Sequence, residues 1–478
     1  MTARIGYEHR GALGVPFACS RGLTEDDLGT LYDAGAEAVR LLAEGRKHPL
    51  LMDGATLMTR WKQLPERALA QGAAGKLARA ARKFAEGLGD IVSVGIGGSY
   101  LGGAAVVQAL THSQSAIDAK ARGGAPRVHF LGEQLDPDLI REKLEALDPD
   151  RTGVIVISKS GTTTETAVMF RLMADWLGPA RMRAHAVAVT DAASGALREA
   201  VKKYGLNACI DADLAPFFNV PDGIGGRFSV MSAAGLFVIA AAGIDVESLL
   251  EGARCAEEEW CRRPEPAANV ALRRAVVRAA FMLHGGAVER LVSNSWHLGG
   301  VLSWARQLYP ESDGKAGYGL SVVEALYSRE AHSDGQLVAE GPRNIKELFF
   351  LLERFARADL AIPALEGVAD GLGKTAAAFS VNQVNRVVCE ALLYDHITRG
   401  VPVDVWRIPE RTPFVIGQLL QSEMNAVLIE CLILRINGVV QPGVVGYKNA
   451  MFGLLGREGS DTALAGRAAA LLASLGLR

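Results

Sequence analysis

Between Ile91 and Ile210, short runs of β-branched residues alternate with amphipathic or Ala-rich stretches. The runs are Ile91–Val94, Val128–Leu131, Val154–Ile157 and Ala186–Val189. Alternation of this kind builds βαβ units, in which a helix returns the chain to the same sheet, so an α/β fold with a parallel sheet is expected. Right-handed crossovers follow, and function should collect at the C-terminal ends of the strands. The Pro- and Glu-containing stretch Arg262–Ala268 separates this block from a second one. There Arg290–Ser293 and Val403–Arg407 read as strands, with long helical patterns between and after them. Met424–Leu434 and Leu464–Leu475 read as helices packed on the outside, and Asp26–Ala43 and Ala74–Leu88 as helices of a helix-rich N-terminal part. A chain of 478 residues exceeds one typical core.

The run Val154–Ile157 leads straight into Ser158-Lys159-Ser160-Gly161-Thr162-Thr163-Thr164-Glu165-Thr166. A helical pattern follows, with Met169, Leu172, Met173 and Trp176 on one face and Gly178-Pro179 as a stop. A helix N-terminus offers free N–H groups and the positive end of the macrodipole. Six hydroxyl residues in nine positions, with one lysine, add donors suited to a phosphate. A helix cap needs only one hydroxyl. Thr162 and Glu165 have capping-box spacing, which assigns Glu165 a structural role. With a net charge of −2, an anion site must be made locally. The same balance argues against nucleic acid as a partner.

A second loop, Gly95-Ile96-Gly97-Gly98-Ser99-Tyr100-Leu101-Gly102-Gly103, also follows a strand and opens a helix. Tyr100 stands where a dinucleotide fingerprint needs glycine, so the glycines are read as bringing backbone close to a smaller ligand. Gly367–Thr375 is close to a phosphate-binding P-loop but has Val368 where glycine is required, which leaves Lys374 a solvated helix residue. The segment Asp222–Gly235 frees the backbone before Arg227, whose guanidinium can pair with a carboxylate or stabilise an oxyanion. Glu311, His332 and Lys448 are unremarkable taken singly, and the nine histidines show no metal-ligand spacing. The cysteines at 19, 209, 255, 261, 389 and 431 form no CxxC pair. They read as reduced, which suggests the cytoplasm. Met1–Ser20 shows no signal peptide, and no apolar run reaches membrane length.

Together these pieces resemble the glucose-6-phosphate isomerase (phosphoglucose isomerase) family, in its short bacterial form. The likeness runs from GIGGSYLGG through SKSGTTTET, DGIGGRFSVMSAAG, PESDGK and HSDGQ to QPGVVGYKNAMF. The resemblance implies two sugar-isomerase-type (SIS) domains, each a mainly parallel sheet between helices in a three-layer αβα sandwich, with extra terminal helices. It divides the chain into an N-terminal helical segment (1–85), a smaller SIS domain (86–245), a larger one (246–440) and a C-terminal active-site segment (441–478). It implies reversible conversion of glucose 6-phosphate to fructose 6-phosphate, in glycolysis and gluconeogenesis, without a cofactor. Ser158, Lys159, Ser160 and Thr163 would bind the phosphate, while Gly98, Ser99 and Gln307 would contact the sugar. His332, with Lys448 nearby, would open the ring, Glu311 would move a proton between C2 and C1, and Arg227 would steady the enediolate. The family's homodimer would supply His332 from the partner subunit.

The sequence departs from the family pattern at Val439, Val440 and Val445, and at Pro310, which should end a helix near Tyr309. Two other readings are a sugar-phosphate-binding regulatory protein and an isomerase for mannose 6-phosphate or another sugar phosphate. Binding alone has no need of Glu311, His332, Arg227 and Lys448 together.

Overall fold

A computed structural model describes residues 3–15, 22–207, 219–365, 367, 370–371 and 378–477. Cys19, Cys209, Val368 and Lys374 lie outside the described residues. The strands are β1 (Gly6–Glu8), β2 (Met52–Asp53), β3 (Thr56–Leu57), β4 (Asp90–Val94), β5 (Arg127–Leu131), β6 (Thr152–Ile157), β7 (Ala186–Val189), β8 (Val288–Ser293), β9 (Ser321–Leu326), β10 (Ile345–Arg354) and β11 (Val403–Glu410). The four β-branched runs all become strands of one parallel sheet, ordered β5-β4-β6-β7. A second sheet runs β1-β11-β10-β8-β9, parallel except for β1. Without β1 its order, β9-β8-β10-β11, repeats that of the first sheet.

Two strands of the second sheet, β9 and β10, fall where the sequence pattern reads as helix. The central one, β10, carries the run Leu348–Leu352 and is covered on both faces. A strand buried on both sides loses its period-2 signature, so periodicity cannot tell it from a buried helix.

Alternation along the strands divides the core into layers. Val92, Val94, Val154, Val156, Ala186 and Ala188 point into a cluster on the outer face of the first sheet. Their neighbours Ile91, Ile155, Ile157, Val187 and Val189 enter a larger core. That core also takes Leu291, Leu348, Phe350, Trp406 and Ile408 from the second sheet, while Val292, Ala325, Phe349 and Val403 face a third cluster. Each sheet is thus sandwiched between layers, and the two share the core between them.

Met424–Leu434 does not lie outside. It belongs to the helix Pro413–Ile433, buried at every residue from Val415 to Cys431. A helix buried all round has no solvent face for its polar residues, and several of them find partners inside. Glu257 accepts from Gln421 at 2.8 Å and Asn425 at 2.9 Å, and Ser422 accepts from Trp260 at 3.0 Å. The helix Thr462–Ser474 is by contrast without a buried residue. Among the described residues no helix is long and apolar enough to cross a membrane.

Beneath the second sheet lies an ionic cluster with no exposure to water. Arg274 and Arg278, on the helix Val270–Leu283, meet Glu289 of β8. Arg274 binds it through two bonds of 2.8 and 2.9 Å, and Arg278 through one of 2.8 Å. Lys346 of β10 adds a bond of 2.9 Å to Glu289 and also holds Asp404. Arg278 further pairs with Asp313 and Glu430, and Arg274 lies 3.7 Å from Glu423. Three cations therefore face five carboxylates. Burial pushes Glu430 up to about 8, against the pull of Arg278 and with a further push from Asp313.

A carboxyl whose pKa is raised by folding binds its proton more tightly in the native state. Its contribution to stability is full below its unfolded pKa and is lost as pH rises through the folded one. Wild-type protein should therefore lose stability between about pH 4.5 and 8. Glu430→Gln should flatten that fall, as read by melting temperature against pH. A slope unchanged in the variant would contradict the assignment.

Candidate active site

β4 turns to β5 on one side of the first sheet, while β6 lies on its other side. Loops leaving the C-terminal ends of β4 and β6 diverge at this switch point and leave a crevice, the usual ligand position in an open α/β sheet. The two loops are the glycine-rich one and the hydroxyl-rich one.

After β6 the chain folds on its own hydroxyls. Ser158 Oγ accepts the Gly161 N–H at 3.0 Å, and Ser160 Oγ accepts the Thr162 N–H at 3.2 Å while touching Thr162 Oγ1 at 2.8 Å. Gly161 has φ 73°, and a Cβ there would lie 2.2 Å from the Leu197 nitrogen. The helix begins at Thr164 with Thr163 as N-cap, whose side chain makes no capping bond. The capping box read between Thr162 and Glu165 is therefore not formed, because the helix starts one residue later and Thr162 is engaged with Ser160. Thr163 and the first-turn N–H groups remain for a ligand. Gly178, at φ 71° and ψ 167°, interrupts the helix at the expected stop. Leu172 lies on its exposed side, unlike Met169 and Met173. Lys159 donates to Asp222 at 2.9 Å, with both side chains open to solvent.

The glycine-rich loop approaches other backbone. A Cβ on Gly98 would lie 2.0 Å from the Gly226 carbonyl oxygen, and one on Gly102 would lie 2.8 Å from Val230. Ser229 Oγ donates to the carbonyls of Gly98 at 3.1 Å and Gly226 at 2.7 Å. These contacts seat the turn Gly226–Phe228 against the crevice, with Ser99 half-buried beside it.

That turn carries Arg227, which is 2% exposed. The helix that follows starts only at Ala233, capped by Ser232. Arg227 Nε donates to Ser312 Oγ at 2.7 Å, Nη1 to Gln441 Oε1 at 3.0 Å and Nη2 to the Gly438 carbonyl at 2.5 Å. Glu311 Oε1 lies 3.6 Å from Nη1, and Glu311 Oε2 is buried with no hydrogen-bond partner among the described residues. Burial lowers the guanidinium pKa, and Glu311 pulls it back up.

Glu311 sits on the helix Gly299–Asp313, which continues through Pro310 instead of ending at Tyr309. The proline removes one bond in the last turn. Tertiary partners hold the residues beyond it: Arg227 on Ser312, Arg278 on Asp313, and Lys315 Nζ on the carbonyls of Glu311, at 2.7 Å, and Ser312. Gln307, one turn before Glu311, reaches the glycine loop; its Nε2 lies 3.0 Å from the Cβ position of Gly97, and its Oε1 is buried and unpartnered.

One chain does not gather every expected residue. His332 ends the exposed turn Arg329–His332, tied down by Arg290–Asp334 at 3.0 Å, and has no polar partner among the described residues. Lys448 is exposed on the helix Val445–Leu454, its Nζ 6.0 Å from the Tyr447 ring centre. Ser312, Lys315, Gln441 and Asp222 join the site without having been expected in it. Their signal was position alone: Ser312 and Lys315 flank Glu311, Gln441 opens the segment holding Lys448, and Asp222 opens the one holding Arg227.

The fold matches solved structures. A hypothetical protein from Thermus thermophilus aligns with TM-score 0.78 at 29% identity, covering 94% of this chain and 99% of that one. A glucose-6-phosphate isomerase from Chlamydia trachomatis aligns with TM-score 0.75 at 19% identity, covering 98% and 92%, a likeness of fold. Two mainly parallel sheets with helices between and around them make this a two-sheet α/β fold. The model of the phosphoglucose isomerase family matches residues 36–326. A glucose-6-phosphate isomerase from Symbiobacterium thermophilum is 36% identical over 89% of this chain and 92% of its own length. One from Clostridioides difficile is 36% identical over 81% and 84%. The chain belongs to the phosphoglucose isomerase family.

Gly98→Ala should drive the Arg227 turn away from Glu311 and lower isomerase activity by about 100-fold or more, since a displacement near 1 Å suffices for that. Gly29→Ala, where a Cβ meets nothing within 4 Å, should leave activity intact. Equal activity in the two variants, measured alongside their melting temperatures, would contradict this account.

Proposed function

We propose that the crevice interconverts D-glucose 6-phosphate and D-fructose 6-phosphate through a cis-enediol, a step of glycolysis and gluconeogenesis. The observation that carries this reading is Glu311 beside Arg227 at 3.6 Å, with one carboxylate oxygen unpartnered. A proton moved between adjacent carbons needs a base within reach and a fixed positive group where the oxyanion forms. Glu311 takes the proton from C2 and returns it at C1, while Arg227 holds the enediolate charge. Ser158, Lys159, Ser160 and Thr163 hold the phosphate, which does not react but fixes the carbons opposite Glu311. Gly98, Ser99 and Gln307 bound the sugar.

Ring opening is assigned to His332, with Lys448 nearby. His332 is supplied by a second copy of the chain in a homodimer; its exposure and its lack of polar partners among the described residues support that reading. The same reading divides the chain at 85, 245 and 440, in keeping with four parallel strands in each of the two middle segments, β1 joining the second set from the first segment. It keeps the enzyme in the cytoplasm, supported by free thiols at Cys255, Cys261, Cys389 and Cys431.

A coupled assay for fructose 6-phosphate conversion tests the proposal. Activity should persist in the presence of chelator and fall by about 10²–10⁴-fold in Glu311→Gln, while phosphosugar binding survives. Full activity in that variant would remove the base assignment. An inactive wild type that still binds phosphosugar would favour a regulatory binding protein.

A further inference from the structure

A cavity of about 530 Å³ opens where the end of the helix Leu101–Leu110 and β5 meet the segments that follow β10 and β11. The catalytic crevice lies at the other end of that helix, about 14 Å away at 1.5 Å per residue. Four guanidinium groups line the cavity: Arg122 and Arg127 from the first sheet's side, Arg357 and Arg411 from the second's. His112 and His129 add two imidazoles.

The charges are poorly matched. Arg127 alone is paired with a carboxylate, Asp90, through bonds of 2.6 and 2.8 Å, and His129 shares that carboxylate at 2.8 Å. Arg122 is held only by carbonyls, those of Ala125 at 3.0 Å and Ser115 at 2.8 Å. Arg411 likewise donates to the Ala109 carbonyl at 2.8 Å. Arg357 has no hydrogen bond or ion pair among the described residues. The other acid at the wall, Asp245, uses an oxygen to cap the helix Val246–Ala256. Burial and the Arg357 charge lower the Arg411 pKa, and burial, Arg411 and His112 lower that of His297 behind it. Two of the four guanidinium groups, Arg122 and Arg411, are thus held by neutral carbonyls at the edge of a space of ligand size.

We propose that this seam is a second, non-catalytic site, which binds a small polyanion bearing phosphate or carboxylate groups and bridges the two sheets through Arg122 and Arg127 on one side and Arg357 and Arg411 on the other. Planar guanidinium groups accept both kinds of oxyanion in paired bonds.

Calorimetry on the full-length chain tests it, with pyrophosphate and citrate as probes. In Lys159→Ala/Ser160→Ala, with the catalytic phosphate loop disabled, one equivalent of anion should still bind, more weakly as salt rises. Adding Arg357→Gln and Arg411→Gln should weaken that binding at least tenfold. In an otherwise wild-type chain the same two substitutions should leave isomerase activity and melting temperature unchanged. The tighter probe identifies the phosphate or carboxylate source. Absence of binding by both probes in the loop variant, or undiminished binding after the arginines are replaced, would overturn the proposal. Neither result bears on the catalytic reading, which rests on Glu311.

Discussion

Glu289 makes no contact with water, and both of its oxygens are held by cations. Arg274 and Lys346 meet one oxygen, Arg274 and Arg278 the other. Burial raises its pKa, but those three cations together hold it well below the usual carboxylate range. Loss of one partner from a buried pair costs about 3–5 kcal/mol, because the remaining charge is stranded. This carboxylate joins β8 to the helix Val270–Leu283 and to β10, and Arg278 passes the connection on to Asp313. Two residues before Asp313 stands Glu311. The proposed base is thus fixed from below by charge, and the surface of the crevice inherits its geometry from the interior.

Much of the fold was legible because its signals are local. The strands β4 to β7 match their β-branched runs to within two residues at either end, since each run is short and bounded by turns. The hydroxyl-rich loop could be read as a ligand site from its order, strand then loop then helix. What escaped was set by tertiary contact. β10 hides because both of its faces are covered, and the helix Pro413–Ile433 reads as peripheral because the partners of its polar groups, such as Glu257 and Trp260, come from distant segments. Arg227 could be picked out as a candidate, but not its partners, which lie 85, 211 and 214 residues further along. The helix crosses Pro310 for the same reason. Distant side chains hold the residues beyond it, and the local rule gives way.

The two sheets repeat one strand order, yet they contribute differently. After β4 the first sheet supplies a glycine loop whose tight approach seats the Arg227 turn. After β8 the second sheet supplies the helix Gly299–Asp313, with Gln307 and Glu311 on one side of it. The helices that follow these two strands lie against each other, and a Cβ on Gly300 would come within 2.9 Å of Ala105. Close packing of those helices sets the glycine loop of one sheet against the helix of the other that bears Gln307 and the proposed base.

Arg227 also has a consequence for the order in which the molecule is made. Its turn and the whole first sheet leave the ribosome early, and domains close as they emerge. Two of its acceptors, the Gly438 carbonyl and Gln441, are translated more than 200 residues later. Until then a cation destined for the interior has water where those partners will be. The nascent first sheet can be complete while the surroundings of Arg227 are still wet, and translation of a distant segment closes them.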